Sequence, residues 1–352
     1  MTRKTMIICT LICGACATTT TDPPAVDGGG ATSIADAADT LDQSTRSDID
    51  TTTSDTGDTG TARTDISRSD AAASAPAGAD VTTPFPIDRG DDPNTPGRYK
   101  GLDLRLTDTG QPSILPVDGT IGVICIGPSN GLQECEAWRK LRQSDAASVS
   151  PAVKIANCGA SGAGIEAWID SKNDAKTWQN CIDVVLPQQG IKADQVKVIW
   201  HKAAQKQTVD RNGQPLPLYP AATSALSAMQ AKLDSFAQRV ATHFKAVNAV
   251  YIASRSYGGY SQRVEFGEPV SYEQGHAINQ WLKGNANRSG IWYGWGGYIW
   301  APDCASGEKN ASGVCYTRGD YANDGLHPAS GAEQKIAETI HQRMLTQSWY
   351  RR

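Results

Sequence analysis

The sequence predicts an α/β domain, a mostly parallel five-stranded sheet flanked by helices, preceded by a long disordered N-terminal stalk. Three observations carry this reading. Short apolar runs rich in β-branched residues recur between residues 121 and 292. Stretches with helical spacing of apolar residues lie between them, the alternation that parallel βαβ units produce. Upstream of about residue 96 the composition shifts to Thr, Ser, Asp, Ala and Gly with hardly an aromatic residue, too little apolar surface to offset the entropy of ordering.

Taken in order, residues 121–126 (IGVICI) make the first strand, which stops at Gly127-Pro128-Ser129-Asn130 with the Ser129 hydroxyl at the tip of the turn. Residues 133–142 suit a helix. Residues 152–156 (AVKIA) make a second strand ending at Asn157-Cys158-Gly159, and residues 195–200 (QVKVIW) a third. Residues 221–244 contain neither Gly nor Pro and carry Leu226, Met229, Leu233, Phe236 and Val240 at steps of three and four, an amphipathic helix. A fourth strand follows at 249–253, a helix at 272–282, the start of a fifth strand at 290–292 and a closing helix at 331–346. In such sheets a ligand crevice lies at the carboxyl ends of the strands.

At the N-terminus, Arg3 and Lys4 precede an apolar segment at 6–12 and the small residues Gly14 and Ala15. This is the outline of a secretory signal over residues 1–16, too short to stay in a membrane as a span. Cys16 matches the acylated cysteine of a bacterial lipoprotein, with Cys13 standing where Leu is usual; plain cleavage and secretion is the alternative. Residues 17–95 read as an extended linker holding the folded part off an anchoring surface. Residues 96–352 are long enough for one domain with a substantial core. A net charge of −4 without a basic cluster argues against nucleic acid as a partner. Six cysteines fall in this region, an even count that in an exported chain favours disulfides. Cys304 and Cys315 flank a polar loop and form the expected pair. The pairing of Cys125, Cys135, Cys158 and Cys181 stays open, as does a free thiol at Cys125. The histidines lack metal-like spacing, so no metal or other cofactor is expected.

Three segments carry chemistry. A serine hydroxyl on a turn entering a helix becomes a nucleophile once a base takes its proton, and the helix start offers N–H groups to an oxyanion; Ser129 also fits an ordinary helix cap. Asp324 and His327, three residues apart, can serve as orienting carboxylate and base, or as a loop cap before a helix. Residues 157–164 (NCGASGAG) allow the close backbone approach that an oxyanion donor needs, or form a flexible loop.

Together the three segments resemble the SGNH (GDSL-like) hydrolase superfamily, nearest to its carbohydrate acetylesterase-like branch. The resemblance runs from about residue 122 to the end and is most specific at Asp324-x-x-His327-Pro328. It implies a flavodoxin-like three-layer sandwich with Ser129 as nucleophile, His327 as base and Asp324 orienting His327. The N–H groups of Ser129 and Gly162 would hold the oxyanion. Gly127-Pro128-Ser129-Asn130 resembles the Gly-x-Ser-Asn form of the acetylesterases, which puts Asn130 at the substrate. Ile165-Glu166-Ala167-Trp168 resembles their Ile-x-x-Trp, which adds Trp168. One block departs from the pattern: where the family has an Asn or Gln donor, this chain reads Trp200-His201-Lys202-Ala203-Ala204-Gln205. Lys202 is then the expected third oxyanion donor, with Gln205 as the fallback. Tyr257 and Trp295, in two loops that interleave aromatic residues with glycines, suit flat contacts to sugar rings. The expected activity is that of an exported serine esterase acting on small-molecule or carbohydrate esters, meeting a membrane only through its N-terminal anchor. The alternative is a non-catalytic glycan-binding module on the same fold.

Overall fold

The run IGVICI forms strand β1 (Ile121–Ile126), buried at every position as a strand covered on both faces must be. The computed structural model describes residues 110–352 except 286 and 311, together with a two-residue antiparallel pairing of Thr83–Pro84 with Arg105–Leu106. The expected signal at 1–16 with its acylated Cys16, and the rest of the linker expected at 17–95, lie outside the described residues.

After β1 come helix α1 (Ser129–Ser144), strand β2 (Val153–Asn157), the short helix α2 (Ile165–Ile169) and strand β3 (Val196–Lys202). Helix α3 (Ala225–His243) leads to strand β4 (Ala249–Ala253), and helix α4 (Val270–Asn285) to strands β5 (Asn287–Arg288) and β6 (Ile291–Trp295). Helix α5 (Ser330–Leu345) closes the domain. The sheet order is β2-β1-β3-β4-β6-β5, parallel throughout except for β5 against β6. The sheet therefore has six strands rather than five. The extra strand is two residues long, too short to show a period. It is a hairpin edge turned by Ser289 and Gly290, both with positive φ.

Because side chains alternate across a strand, the sheet separates two cores. Ile124, Ile126, Ile199, Val250 and Ile252 pack with Trp168 of α2, Leu233 and Phe236 of α3 and Ile278 of α4. On the other face Val123, Val198, Trp200 and Tyr251 pack with Trp138 of α1 and Ile336 and Ile340 of α5. This is a three-layer α/β/α arrangement.

Three disulfides are present among the described residues. Cys304–Cys315 closes the polar loop as expected, Cys125–Cys135 ties β1 to α1, and Cys158–Cys181 ties the end of β2 to the helical turns beyond α2. Cys125 is thus not a free thiol. Disulfides of this number fit an oxidising compartment. Among the described residues no helix is long and apolar enough to cross a membrane.

Candidate active site

The carboxyl ends of β1, β2, β3 and β4 surround a pocket of about 240 Å³ lined by residues that end or follow each of them, among them Ser129, Gly162, Lys202 and Arg255, and by His327 from the loop before α5. Ser129 is the first residue of α1, and Pro128 before it makes no side-chain cap. The first helical hydrogen bond runs from Leu132 N–H to Pro128 O, so the N–H groups of Ser129, Asn130 and Gly131 have no partner within the helix. The Ser129 hydroxyl does not cap the helix. Its Oγ lies 2.7 Å from His327 Nε2.

His327 Nδ1 is 2.5 Å from Asp324 Oδ2. Asp324 Oδ1 accepts hydrogen bonds from the N–H groups of Leu326 and His327, both at 3.0 Å. Partial burial raises the Asp324 pKa, but these backbone donors and the imidazole outweigh it and hold the carboxyl below its ordinary range. Asp324 is therefore the acceptor, His327 presents Nδ1–H to it, and the lone pair at Nε2 faces the serine hydroxyl.

The loop carrying this pair is fixed on several sides. Gly325 turns it with φ +68°, and a Cβ there would fall 1.7 Å from Tyr260 O. The Arg318 guanidinium donates to the Ala322 and Asn323 carbonyls, and Gln262 N–H donates to Asp324 O. Asn130 Nδ2 donates to Leu326 O at 2.8 Å, which fastens the loop to the start of α1.

Gly162 lines the pocket with φ +73°. Its loop is stitched to the end of β1, since Ala160 N–H donates to Gly127 O. Trp168, expected at the substrate, lies in the core instead. Ile165 and Trp168 stand three apart on one inward face of α2, and Trp168 Nε1 donates to Ala163 O at 3.2 Å, supporting the glycine loop from behind. Trp295 is likewise buried rather than on the pocket wall. It sits at the end of β6, all of whose residues are covered, and stacks on Tyr298. The aromatic loop at 292–300 is thus core packing. Asn130 and Tyr257 do line the pocket.

Lys202 is 1% exposed, so it is not a lysine solvated beyond its strand. Its ammonium forms an ion pair with Glu134, which is fully buried on the inner face of α1. Burial raises the Glu134 pKa and lowers that of Lys202, each opposed by the partner's charge. The candidate third oxyanion donor is therefore already bonded to a carboxylate. Gln205, the fallback, is buried and donates from Nε2 to Gln207 O. Among the described residues no three His, Cys, Asp or Glu side chains cluster as metal ligands would.

Sequence reasoning missed Glu134 and Arg255. A signal existed for each: Glu134 falls four residues before Trp138 on the apolar stripe of α1, and Arg255 follows a wholly apolar strand at the ligand edge of the sheet.

No family model matches the chain, and no curated protein matches it either. Solved structures similar to it include a carbohydrate esterase family 3 protein from Talaromyces cellulolyticus, with 13% identity, 64% of this chain and 97% of that one covered, and a TM-score of 0.41. Another is a catalytic mutant of an acetylxylan esterase from Geobacillus stearothermophilus, with 13% identity, 66% and 96% coverage, and a TM-score of 0.36. A third is a GDSL-like lipase from Bacteroides thetaiotaomicron, with 10% identity, 66% and 92% coverage, and a TM-score of 0.37. A serine after the first strand, a glycine loop after the second and Asp-x-x-His before the last helix, the motifs on which the sequence resembles the SGNH hydrolases, meet at one sheet edge.

Proposed function

We propose that the protein is an exported serine esterase, anchored by a lipid on Cys16, that removes acyl groups, acetyl foremost, from carbohydrate or small-molecule esters. The observation that carries this reading is the continuous hydrogen-bonded relay from Ser129 Oγ through the His327 ring to a carboxylate kept ionised by backbone donors.

In the first half of the reaction His327 Nε2 takes the hydroxyl proton as Ser129 Oγ bonds to the ester carbonyl carbon. The carbonyl oxygen becomes an oxyanion, held by the N–H groups of Ser129 and Gly162. Asp324 stabilises the imidazolium. As the tetrahedral intermediate collapses, the bond to the alcohol oxygen breaks and that oxygen receives the proton from Nε2. The acyl group remains on Ser129. Water then repeats the sequence, delivering a proton to Nε2 and its oxygen to the carbonyl, and the acid leaves as the proton returns to Ser129.

The pocket opens to solvent at the triad, where the side chains of His327 and Asp324 are 35% and 41% exposed, so water reaches the acyl-enzyme. Its volume of about 240 Å³ suits a short acyl group and part of a sugar. Asn130 and Tyr257 border the substrate. The test is hydrolysis of a short-chain p-nitrophenyl ester: Ser129→Ala, folded by circular dichroism, loses turnover, whereas unchanged turnover removes Ser129 from this role. Acetylated sugars against simple aryl esters then define the alcohol part.

A further inference from the structure

Four cationic side chains, Lys202, Lys206, Arg255 and Arg263, line the reaction pocket, and no carboxylate does. Lys202 is paired with Glu134, and Arg263, mostly exposed, is paired with Glu265. Lys206 Nζ bonds to Gly162 O. Arg255 differs from all three.

It follows β4, is only 7% exposed, and makes no ion pair among the described residues. Among the described residues its side chain makes one long hydrogen bond, Nη1 to Gln205 O at 3.4 Å, and its guanidinium carbon lies 4.7 Å from the Phe266 ring centroid. The carboxylates nearest in charge are already engaged: Glu134 with Lys202, Glu166 with Lys232, and Glu268 with Gly258 N–H, Tyr272 N–H and Trp300 Nε1. Burial pushes the guanidinium down to about 10, against the pull of the Glu268, Glu134 and Glu166 charges, which leaves it charged at neutral pH. A guanidinium presents five N–H donors in a planar fork that matches a carboxylate, and most of these donors lack a protein partner. A buried guanidinium that faces a cavity, with no carboxylate within ion-pair distance among the described residues, is placed to pair with an anion that enters.

We propose that the ester taken by this site carries a carboxylate, in its alcohol part as in a uronate or in its acyl part as in a dicarboxylic half-ester, and that Arg255 binds it. This rests on the serine-esterase reading given above and adds the substrate class.

The test compares kcat/KM for two matched pairs: O-acetylated methyl galacturonoside against O-acetylated methyl galactoside, and 4-nitrophenyl hydrogen glutarate against 4-nitrophenyl valerate. The wild-type protein is expected to favour the anionic member of one pair by at least about tenfold. Which pair responds tells alcohol part from acyl part. In Arg255→Met that ratio falls to near one, with Arg255→Lys between. Ratios near one for both pairs in the wild type, or an unchanged ratio in Arg255→Met, overturn the proposal.

Calorimetry on Ser129→Ala examines the cation without the nucleophile. Binding of methyl galacturonoside or glutarate, weakened by added salt and absent for methyl galactoside, supports Arg255 as the anion site; no binding of either anion overturns it. Failure of the esterase reading looks different, since all four esters would then go unhydrolysed whatever the calorimetry shows.

Discussion

His201 and His276 make the protein sensitive to mild acid. Both are fully buried, His201 stacked on Phe236 with centroids 4.2 Å apart, and burial pushes each pKa down to about 3. In the unfolded chain each would titrate near 6.5. A group whose folded pKa lies below its unfolded value binds its proton mainly in the unfolded state between the two. Its contribution is therefore intact above about pH 6.5 and is lost as pH falls toward 3. One pH unit is worth about 1.4 kcal/mol per group, so moving from pH 6.5 to 5 removes about 2 kcal/mol per histidine and about 4 kcal/mol for the two. Urea unfolding at pH 7 and pH 5 measures the change. His201→Gln and His276→Gln each lower the stability itself, but each should flatten its pH dependence by about 2 kcal/mol over this interval, and the difference of slopes cancels every group the variants share. Equal slopes in wild type and both variants would refute the reasoning, since the histidines would then titrate alike folded and unfolded.

Other consequences follow from the same packing. Removing one member of the buried Glu134–Lys202 pair should destabilise by about 3–5 kcal/mol in Lys202→Met or Glu134→Leu, whereas the double variant should recover most of that loss in a thermodynamic cycle. If Lys202→Met retains its fold and loses less than about threefold in kcat, the oxyanion is held by backbone N–H groups alone; a loss of roughly 100-fold or more would assign Lys202 a donor's role. Asp324→Asn should lower kcat by about 10⁴, measured with a p-nitrophenyl ester, because the imidazole would no longer be held in its reactive tautomer. Gly325→Ala should disrupt the loop carrying Asp324 and His327 and cut both activity and melting temperature, since its Cβ would overlap Tyr260 O. Gly213→Ala, at a similar φ with nothing within 4 Å, should cost only about 1–2 kcal/mol and leave turnover intact.

Most of the sheet was legible because strands buried on both faces have little choice of composition: IGVICI, AVYIA and the QVKVIW run can satisfy such positions and little else. Helix boundaries were less so. The first helix begins at Ser129 rather than four residues later because Pro128 starts it, and the long helix begins at Ala225, where Ser224 caps it, rather than at residue 221. The two-residue β5 and the short helical turns between residues 165 and 188 carry no usable period. At the site, Ser129, Asp324 and His327 were readable as motifs, and the fold brings them within hydrogen-bond reach. Trp168 and Trp295, unlike Tyr257, were misread because composition reveals an aromatic ring but not which way the pleat or helix turns it. Trp168 and Trp295 point into the core. The burial of Lys202 against Glu134, and of Arg255 without a carboxylate, depends on contacts between α1, β3 and the loop after β4, more than fifty residues apart in some cases. No local pattern encodes that.

The central claim is that His327 activates the Ser129 hydroxyl. A fluorophosphonate probe tests it most directly, because only an activated serine displaces the fluoride and forms the oxygen–phosphorus bond. Mass spectrometry of the treated protein should show a single adduct on the peptide bearing Ser129, absent in Ser129→Ala and slowed at least about 100-fold in His327→Gln. No adduct on wild-type protein, or labelling of Ser129 at the same rate without the imidazole, would contradict the account.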